Sequence, residues 1–503
     1  MSGQTSREKV GAIELDPMDD LAARPPRFAL VGPLLGILAA GPAVVYFWGF
    51  SVDDALIPAR YATHVAQGLG YRFNPHGPST DGVTPLGWAY VLAPFAAQGP
   101  LAALAAARVL GTIAWLAAAA ALGAAVASVE GTKWRYASLA LVLFSAPLGA
   151  WASGGLETGV VVALSTAAAA LAPRASHCAT GAALAGACAW LRPEMVAYAA
   201  ILGAGRAVTV RGSRRRTMTL LLAVGPWCLA ALTRWLIWGR PAPLAVFSKP
   251  SDLQHGAIYV LGAVVLSGAP LAALAPLAFG KLPFWPRVVG AASLCHLVVV
   301  TIAGGDWMPL ARLVCPVLPP LSLVASHLLG APAGTFLAKM RLALACCGEL
   351  ILFALRGPAA ARVLADRLSL IEAARPMLEG ATRVATIDVG WVGAATESDI
   401  LDLAGATDPE VAALPGGHTS KAISGAFLTG RHPDKLVFEI AMSEPAASGP
   451  TFERWTEARL AADPLVRRTY RVVWTGPANT PVRYAILSAA PALSPTSVPP
   501  PSD

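Results

Sequence analysis

Long apolar segments separated by short polar ones occupy the chain from residue 28 to residue 355. Runs of this kind predict helices that cross or nearly cross a membrane, because about 20 apolar helical residues span the hydrocarbon layer. The pair 178–191 and 194–206 is also compatible with one long helix. The full set of predicted segments is 28–48, 104–128, 136–152, 157–173, 178–191, 194–206, 217–238, 256–279, 286–303, 309–330 and 334–355.

The short segment 84–98 is apolar but contains a proline near each end, and it decides the orientation of everything after it. Basic residues in short loops favour the cytoplasmic side. They fall on one side only if 84–98 lies outside as a juxtamembrane helix, which predicts eleven crossings with the N-terminus inside and the C-terminal region outside. The basic residues used are Lys133, Arg135, Arg174, Arg206, Arg211, Arg214, Arg215, Arg216, Lys281 and Arg287.

The pattern changes after Leu355, where apolar and polar positions begin to alternate. Strand-like alternation occurs at 383–393, 434–440 and 470–476, and helical patterns occur at 360–377 and 452–462. The sequence therefore predicts an α-helical polytopic membrane protein with two domains between two tails. These are a cytoplasmic disordered tail 1–27, a membrane domain 28–355 with an outer loop 49–103, a small extracytoplasmic α/β domain 356–488, and a disordered tail 489–503.

Composition agrees with this class of protein. The chain is 55% hydrophobic and 14% charged, with a mean hydropathy of +0.57, which excludes an ordinary soluble globule. The net charge of +8 comes from arginines in short loops rather than from a basic stripe interleaved with aromatic residues. We therefore expect membrane lipid as a partner and no nucleic acid.

Two adjacent acids, Asp53 and Asp54, follow the first apolar segment, where a charge is costly unless it is used. One interpretation is that the pair caps a helix, since aspartate is favoured at helix N-termini. The other is chemistry on a lipid-linked substrate at the membrane surface, with one carboxylate as general base and the other orienting an acceptor or a metal ion. On the predicted topology the same face holds SVDDA (51–55), GGLET (154–158), LRPE (191–194), GRPAPLAVFSKPSD (239–252) and GGDWMP (304–309).

A phosphate leaving group requires cations on that face. Lys249 and Arg312 are favoured because prolines or glycines lie beside them, although arginines at membrane edges also reach headgroups. Asp306 is a third acid, suited to a metal ion, to sugar hydroxyls or to a helix cap, and Glu157 and Glu194 are expected to pair with nearby arginines. The candidate cations are Arg60, Arg192, Arg240, Lys249 and Arg312.

The segment DDALIPARYATHVAQGLGYRFNPHGPSTDGVTPLGW resembles the first outer loop of the GT-C superfamily of polyprenyl-phosphate-sugar glycosyltransferases. Within that superfamily it is most similar to the terminal arabinofuranosyltransferases of mycobacterial cell-wall assembly. The ordered pieces GLET, LRPE, GGDWMPLARLVCPVLPP, DLAGATDPEVA and GGHTSK extend the resemblance over residues 28–440. The matching positions in the loop are Asp53, Asp54, Ala55, Ile57, Arg60, Tyr61, Ala62, Gly68, Gly70, Phe73, Asn74, Pro75, Thr84, Pro85, Leu86 and Trp88.

The resemblance implies an inverting glycosyltransferase of a bacterial inner membrane, with its active site on the extracytoplasmic side. Asp53 would be the general base, the donor a polyprenyl-phosphate sugar and the acceptor a hydroxyl of a glycan or lipid. No cofactor is specified, but Asp54 is a candidate ligand for a divalent cation. Leu56 and Pro58 depart from the family pattern, so the donor sugar is left open. The competing hypothesis is a transporter or binding subunit for lipid-linked glycans.

One further loop is a candidate for the same site. GGHTSK (416–421) combines a glycine pair with His418 and Lys421 and lies within the part that resembles the family. We expect this loop to pack over the outer cavity, with His418 in contact with donor or acceptor. A plain surface loop is the alternative.

Overall fold

Helices make up most of the molecule, and a small sheet lies near the C-terminus. The computed structural model describes residues 30–248, 251–266, 280, 282–331, 335–441, 450–476 and 482–490. The predicted tail 1–27, Lys249, the end of the predicted segment 256–279 and most of the tail 489–503 lie outside the described residues. The α-helices of the N-terminal part are Val31–Tyr46, Leu56–Ala66, Trp88–Leu92, Pro100–Ala127, Ala140–Leu143, Ala146–Ser153, Thr158–Ala170, Cys178–Leu191, Val196–Ala207, Ser213–Trp238, Leu244–Ser248, Leu253–Leu266, Phe284–Ile302, Leu318–Gly330 and Thr335–Ala360.

The prediction of eleven crossings is not supported by the described residues. A bent pair, Lys133–Leu143 with Ala146–Ser153, makes one more crossing if its 57° break is counted within a single span. Several other predicted spans are helices of 13 or 14 residues, such as Thr158–Ala170 and Cys178–Leu191, which are shorter than a straight crossing needs. In the described part of the chain, four single helices are long and apolar enough to cross a membrane: Val31–Gly49, Pro100–Ala127, Ser213–Trp238 and Phe284–Ile302.

Two ambiguous segments are resolved by their local structure. The region 178–206 forms two helices, because Pro193 holds Arg192 in an extended conformation (φ −134°, ψ 101°) and starts a 3₁₀ turn. In 84–98, the helix Trp88–Leu92 has five residues and leads into a short 3₁₀ turn, so it is too short to cross. This agrees with the interpretation of 84–98 as a non-crossing segment.

Small residues allow the first and fourth α-helices to pack closely. A Cβ atom on Gly36 would overlap the carbonyl of Ala119, and one on Gly123 would overlap the carbonyl of Gly32. Helices in membranes associate through such small-residue contacts, since there is no hydrophobic gain from packing one apolar surface on another in lipid. The sequence GPLLG in the first helix therefore fixes its neighbour.

The C-terminal region forms a five-stranded mixed sheet with helices around it. The strands are β1 Arg383–Thr386, β2 Asp399–Asp402, β3 Lys435–Ile440, β4 Tyr470–Gly476 and β5 Arg483–Ala489. Their order in the sheet is β2-β1-β3-β5-β4, with β1 parallel to β2 and β3 and the remaining pairs antiparallel. The helices are Val363–Leu378, Val389–Ala395, Pro409–Ala412, Gly425–Gly430, Trp455–Ala462 and Pro464–Thr469.

The predicted strand 383–393 is partly wrong. It ends at Thr386 and is followed by the helix Val389–Ala395, here called the docking helix. Strands β2 and β5 were not predicted from the alternation pattern. One hydrophobic cluster contains Ala55 and Ala59 from the outer loop as well as Trp391 and Val392 from the docking helix. The outer loop and the C-terminal domain therefore share a core.

Candidate active site

A cavity of about 690 Å³ lies where the outer loop, the ends of several helices and the C-terminal domain meet. It brings together six of the nine candidate residues: Asp53, Asp54, Arg192, Asp306, Arg312 and His418. Arg60 and Arg240 are not among the residues that line it, and Lys249 lies outside the described residues. A more open depression of about 830 Å³ lies beside His76 and Glu379, and it contains none of the predicted residues.

Asp53 is held by the C-terminal domain. Its carboxylate oxygens accept hydrogen bonds from the backbone N–H groups of Gly390 (2.9 Å) and Trp391 (2.8 Å), in the first turn of the docking helix. Arg367 lies 3.7 Å from the same carboxylate. Helix N-termini favour a negative charge because their first N–H groups lack partners within the helix. Asp53 therefore caps a helix that is more than 330 residues away in sequence.

This contact changes the capping interpretation. No side-chain capping bond is made to the turn Asp53–Ala55 or to the helix Leu56–Ala66 that follows it. A Cβ atom on Gly390 would overlap the backbone carbonyl of Asp53, so only glycine permits the close approach. The acid does cap a helix, but the helix belongs to the other domain.

The environment of Asp53 also alters its acidity. Burial raises the pKa of Asp53 from 3.8 to about 6, Arg367 opposes the change, and the nearby Asp388 and Asp54 add to it. A carboxylate has about four acceptor positions, so two N–H bonds do not exhaust it. Asp53 is thus an oriented carboxylate on the cavity wall whose pKa lies closer to neutral pH than usual.

Arg60 is not in the cavity, which corrects the prediction that it binds substrate. It is buried, and its guanidinium donates to the carbonyl oxygens of Gly393 (2.5 Å), Thr396 (2.8 Å) and Ser398 (2.7 Å) at the C-terminal end of the docking helix. It also donates to the carbonyl of Phe73 (2.9 Å). Cations are favoured at helix C-termini, so Arg60 is a structural residue that holds the end opposite to Asp53.

Asp54 lines the cavity, and among the described residues no side chain or N–H group hydrogen bonds to its carboxylate. The part of the chain that the structure describes contains no group of three or more histidine, cysteine, aspartate or glutamate side chains positioned to hold a metal ion. Magnesium needs only one or two carboxylates when substrate phosphate and water supply the remaining ligands. Asp54 is therefore suited to a cation that is bound jointly by the protein and a substrate, and not to a cation that is held by protein ligands alone.

The predicted phosphate-binding arginines are already paired with acids. Arg192 lies 2.5 Å from Glu157 and 3.4 Å from Glu194, which confirms the expected pairing of these glutamates with an arginine. Arg312 lies 2.7 Å from Asp306. Pairing fixes each guanidinium, and because a guanidinium has five N–H donors it retains some for a ligand.

The loop before Arg312 has an unusual backbone. Gly304 and Gly305 have positive φ angles (90° and 71°), and so do Leu310 (57°) and Ala311 (51°), which are not glycines. Non-glycine residues pay a conformational cost there, and such strain is often found at functional sites. Here it turns the chain so that Arg312 meets Asp306.

His418 of the C-terminal domain lines the cavity, as its sequence context predicted. Its ring centroid lies 6.1 Å from that of Trp307, which is stacked on His255 (4.1 Å, 16°). Lys421, from the same loop, instead is buried and donates to the carbonyls of Ala412 and Leu414 (both 2.9 Å). The loop GGHTSK thus contributes one residue to the site and one to the domain's own structure.

Two charged residues of the cavity wall were not predicted. Asp388 and Arg454 line the cavity, 2.9 Å apart, and Tyr484 donates to Asp388 (2.6 Å). Burial alone would raise the pKa of Asp388, but Arg454 and Arg367 outweigh it, so the pKa is lowered. The available signal was the position of Asp388 two residues after the end of strand β1, since ligands collect at the carboxyl ends of parallel strands.

Charged groups in the cavity wall are mostly negative. Among the described residues that line the cavity, six carboxylates stand against three arginines: Asp53, Asp54, Glu157, Glu194, Asp306 and Asp388, with Arg192, Arg312 and Arg454. This balance favours neutral or cationic ligands, or anionic ligands that bring a cation.

Comparisons with known proteins do not add an identity. No protein-family model matches the chain, and no curated protein sequence matches it.

Proposed function

We propose that this chain is an inverting membrane glycosyltransferase that moves a sugar from a polyprenyl-phosphate donor to a hydroxyl of an envelope glycan or lipid. The observation that carries the proposal is the cavity itself. It gathers acids and arginines from both halves of the chain, in the set that the sequence motifs single out. The candidate spans support a membrane location.

Asp53 acts as the general base in this proposal. It takes the proton of the acceptor hydroxyl while the acceptor oxygen forms a bond to the anomeric carbon. The bond from that carbon to the phosphate oxygen breaks on the opposite face, and polyprenyl phosphate leaves with the electron pair. A pKa of about 6 suits this role, because the group is ionised at neutral pH yet basic enough to accept a proton.

The remaining residues bind and orient. Arg192 and Arg312 lie in the cavity wall and bind the phosphate as its charge develops. Asp54, which lines the cavity, orients the acceptor; if a divalent cation binds, Asp54 would be its protein ligand and the cation would offset the charge of the leaving phosphate. The C-terminal domain orients the base through Gly390 and Trp391.

The extracytoplasmic location of the cavity is supported by the helix Ser213–Trp238. Three arginines lie in its first turn, at residues 214–216, which favours the cytoplasm for that end. Near its other end, Arg234 pairs with Asp81 of the outer loop (2.8 Å). The cavity and the C-terminal domain would then face the envelope.

A transporter or binding subunit for lipid-linked glycans is the alternative. Transporters hold substrate near the middle of the membrane, between broken helices. Here the acids lie beyond the end of the first span, on an outer loop that shares a core with the C-terminal domain. That arrangement favours the enzyme.

Transfer can be tested by profiling envelope glycans after deletion of the gene and complementation with variants. Wild type should restore a missing glycan. Asp53→Asn should fail, and Asp54→Asn should fail equally if Asp54 holds a cation, or partly if it only supports Asp53. Asp366→Asn is a matched control outside the cavity and should restore the glycan.

The same variants should be assayed as purified protein with polyprenyl-phosphate sugars. Transfer by wild type and not by Asp53→Asn is the expected result. If deletion alters the glycans but purified wild type transfers no sugar from any donor, the transporter hypothesis is favoured instead.

A further inference from the structure

An exposed indole forms part of the cavity rim. Trp307 is 65% exposed, although its ring is stacked on the imidazole of His255 at 4.1 Å. Among the described residues that line the cavity it is the one phenylalanine, tyrosine or tryptophan. An aromatic ring among convergent polar groups in a cavity is typical of a small-molecule binding site.

The position of the indole is fixed before any ligand arrives. The ring nitrogen Nδ1 of His255 lies 2.6 Å from the carbonyl of Gly304, and the backbone N–H of His255 donates to Asp252 (3.0 Å). His255 is therefore a rigid support beneath Trp307. A preorganised aromatic ring binds with a smaller loss of side-chain entropy than a mobile one.

The surroundings of Trp307 match a sugar ring. Sugars present one face of C–H groups, which pack on aromatic rings, and a rim of hydroxyls, which donate to carboxylates. Asp306 and Asp54 line the same cavity, and Thr84 and Thr419 add hydroxyl groups. The excess of carboxylates in the wall disfavours a sugar that carries its own acid group.

The location of Trp307 points to the acceptor rather than the donor. His418, which belongs to the C-terminal domain, lies 6.1 Å from the indole. A lipid-linked donor would approach from the bilayer, whereas this side of the cavity is bounded by the domain outside the predicted spans. This position favours a glycan in solution as the ligand at Trp307.

We propose that Trp307, supported by His255, binds the C–H face of a neutral sugar ring and that the acceptor is therefore a glycan. This proposal extends the proposed function, and the assignment of the bound sugar as the acceptor rests on that function. The binding of a sugar ring at Trp307 can be tested without any transfer.

The experiment uses the full chain in lipid nanodiscs, without donor. Saturation-transfer NMR measures the binding of methyl α-mannopyranoside, methyl β-galactopyranoside, methyl α-arabinofuranoside and methyl β-glucuronide. We expect at least one neutral glycoside to bind more tightly than the glucuronide, with saturation strongest on one face of its ring. Trp307→Ala should weaken that binding about tenfold, and Trp307→Phe should retain most of it.

Trp134 provides the matched control. It is 52% exposed, packs against Lys339 and does not line the cavity, so Trp134→Ala should bind the glycosides like wild type. Unchanged binding in Trp307→Ala, tightest binding of the glucuronide, or no binding of any glycoside by wild type would each overturn the proposal. An indole that only anchors the protein at the membrane interface would give the first of these results.

The outcome is separable from the proposed function. If no donor supports transfer but Trp307→Ala still loses glycoside binding, the sugar site at Trp307 is supported and the proposed glycosyltransferase function is not. If transfer occurs with glycan acceptors while Trp307→Ala binds and transfers normally, the enzyme stands and this site is wrong.

Discussion

Charged residues serve different purposes at the docking helix and at the cavity wall. At the docking helix, Asp53 binds backbone N–H groups at one end and Arg60 binds backbone carbonyls at the other. At the cavity wall, Arg192 and Arg312 bind the carboxylates of other side chains. The first set joins the outer loop to the C-terminal domain, and the second lines the cavity.

The difference shows how one motif can dock a domain at both ends and, in the proposed function, supply the base at one of them. Asp53 and Arg60 are seven residues apart, a separation of about 10 Å along a helix. The docking helix also has seven residues, Val389–Ala395. The turn and helix from Asp53 to Arg60 therefore space a carboxylate and a guanidinium to match the two ends of the docking helix. Asp53 is the residue that belongs to both regions.

The largest expected effect comes from Arg60. Arg60→Met removes the donor to several buried carbonyls, and each unsatisfied group has a cost, so docking of the C-terminal domain should weaken by on the order of 3 kcal/mol or more. Hydrogen exchange of the amides in 389–395 should rise strongly. Arg459→Met, at an exposed arginine that contacts Trp455, should leave exchange unchanged.

A smaller effect is expected at the other end of the docking helix. Gly390→Ala places a methyl group against the backbone of Asp53, and we expect docking to weaken by roughly 1–3 kcal/mol. Thermal unfolding and exchange of 389–395 report this change. Gly430→Ala is the control, since a Cβ there would meet nothing within 4 Å. Equal behaviour of the two variants would contradict the close contact.

The pH dependence separates the two roles of Asp53. Its pKa is 3.8 when exposed and about 6 when docked, so the docked state binds an extra proton between these values. Lowering the pH from about 6 to about 4 should therefore tighten docking through this group, while transfer slows because the base is protonated. Exchange protection and transfer rate should move in opposite directions, and Asp53→Asn should remove both trends.

Sugar transfer should depend on the shape of the cation at position 312 as well as on its charge. Arg312→Lys keeps the positive charge but removes the guanidinium, which can pair with Asp306 and bind a phosphate at the same time. Transfer should therefore fall roughly tenfold, and docking of the C-terminal domain should not change. Transfer assays at saturating donor measure the loss. Arg135→Lys, an arginine outside the cavity, should have no effect. A change in exchange of 389–395 in Arg312→Lys would break the separation between the two regions.

Much of the candidate site could be predicted because its residues lie in local motifs next to apolar runs. Asp53, Asp54, Arg192, Asp306 and Arg312 were found in this way, and the structure places them around one cavity. Arg60 was misassigned because the same motif cannot tell a residue that binds substrate from one that binds a distant helix. Only the fold brings Gly393 to it.

The fold class could be predicted from the sequence, but the number of membrane-crossing helices could not. Hydropathy identifies apolar helices, but it does not show that the break at Ser145 divides the segment 136–152 or that Thr158–Ala170 has only 13 helical residues. The docking helix was missed because VGWVGAA reads as a strand by alternation. Its helical form places glycines at 390 and 393, where the outer loop approaches most closely.

The central claim is that Asp53 performs chemistry in addition to docking the C-terminal domain. The most direct test is the single-turnover rate of sugar transfer by Asp53→Asn and by Gly390→Ala, with docking of each measured by exchange of 389–395. Gly390→Ala should weaken docking, whereas Asp53→Asn should retain it because burial favours a neutral group at this position. Asp53→Asn should nevertheless slow transfer roughly 100-fold or more, and Gly390→Ala by less than about tenfold. Equal losses in the two variants, or near-normal transfer by Asp53→Asn, would contradict the assignment of Asp53 as the base.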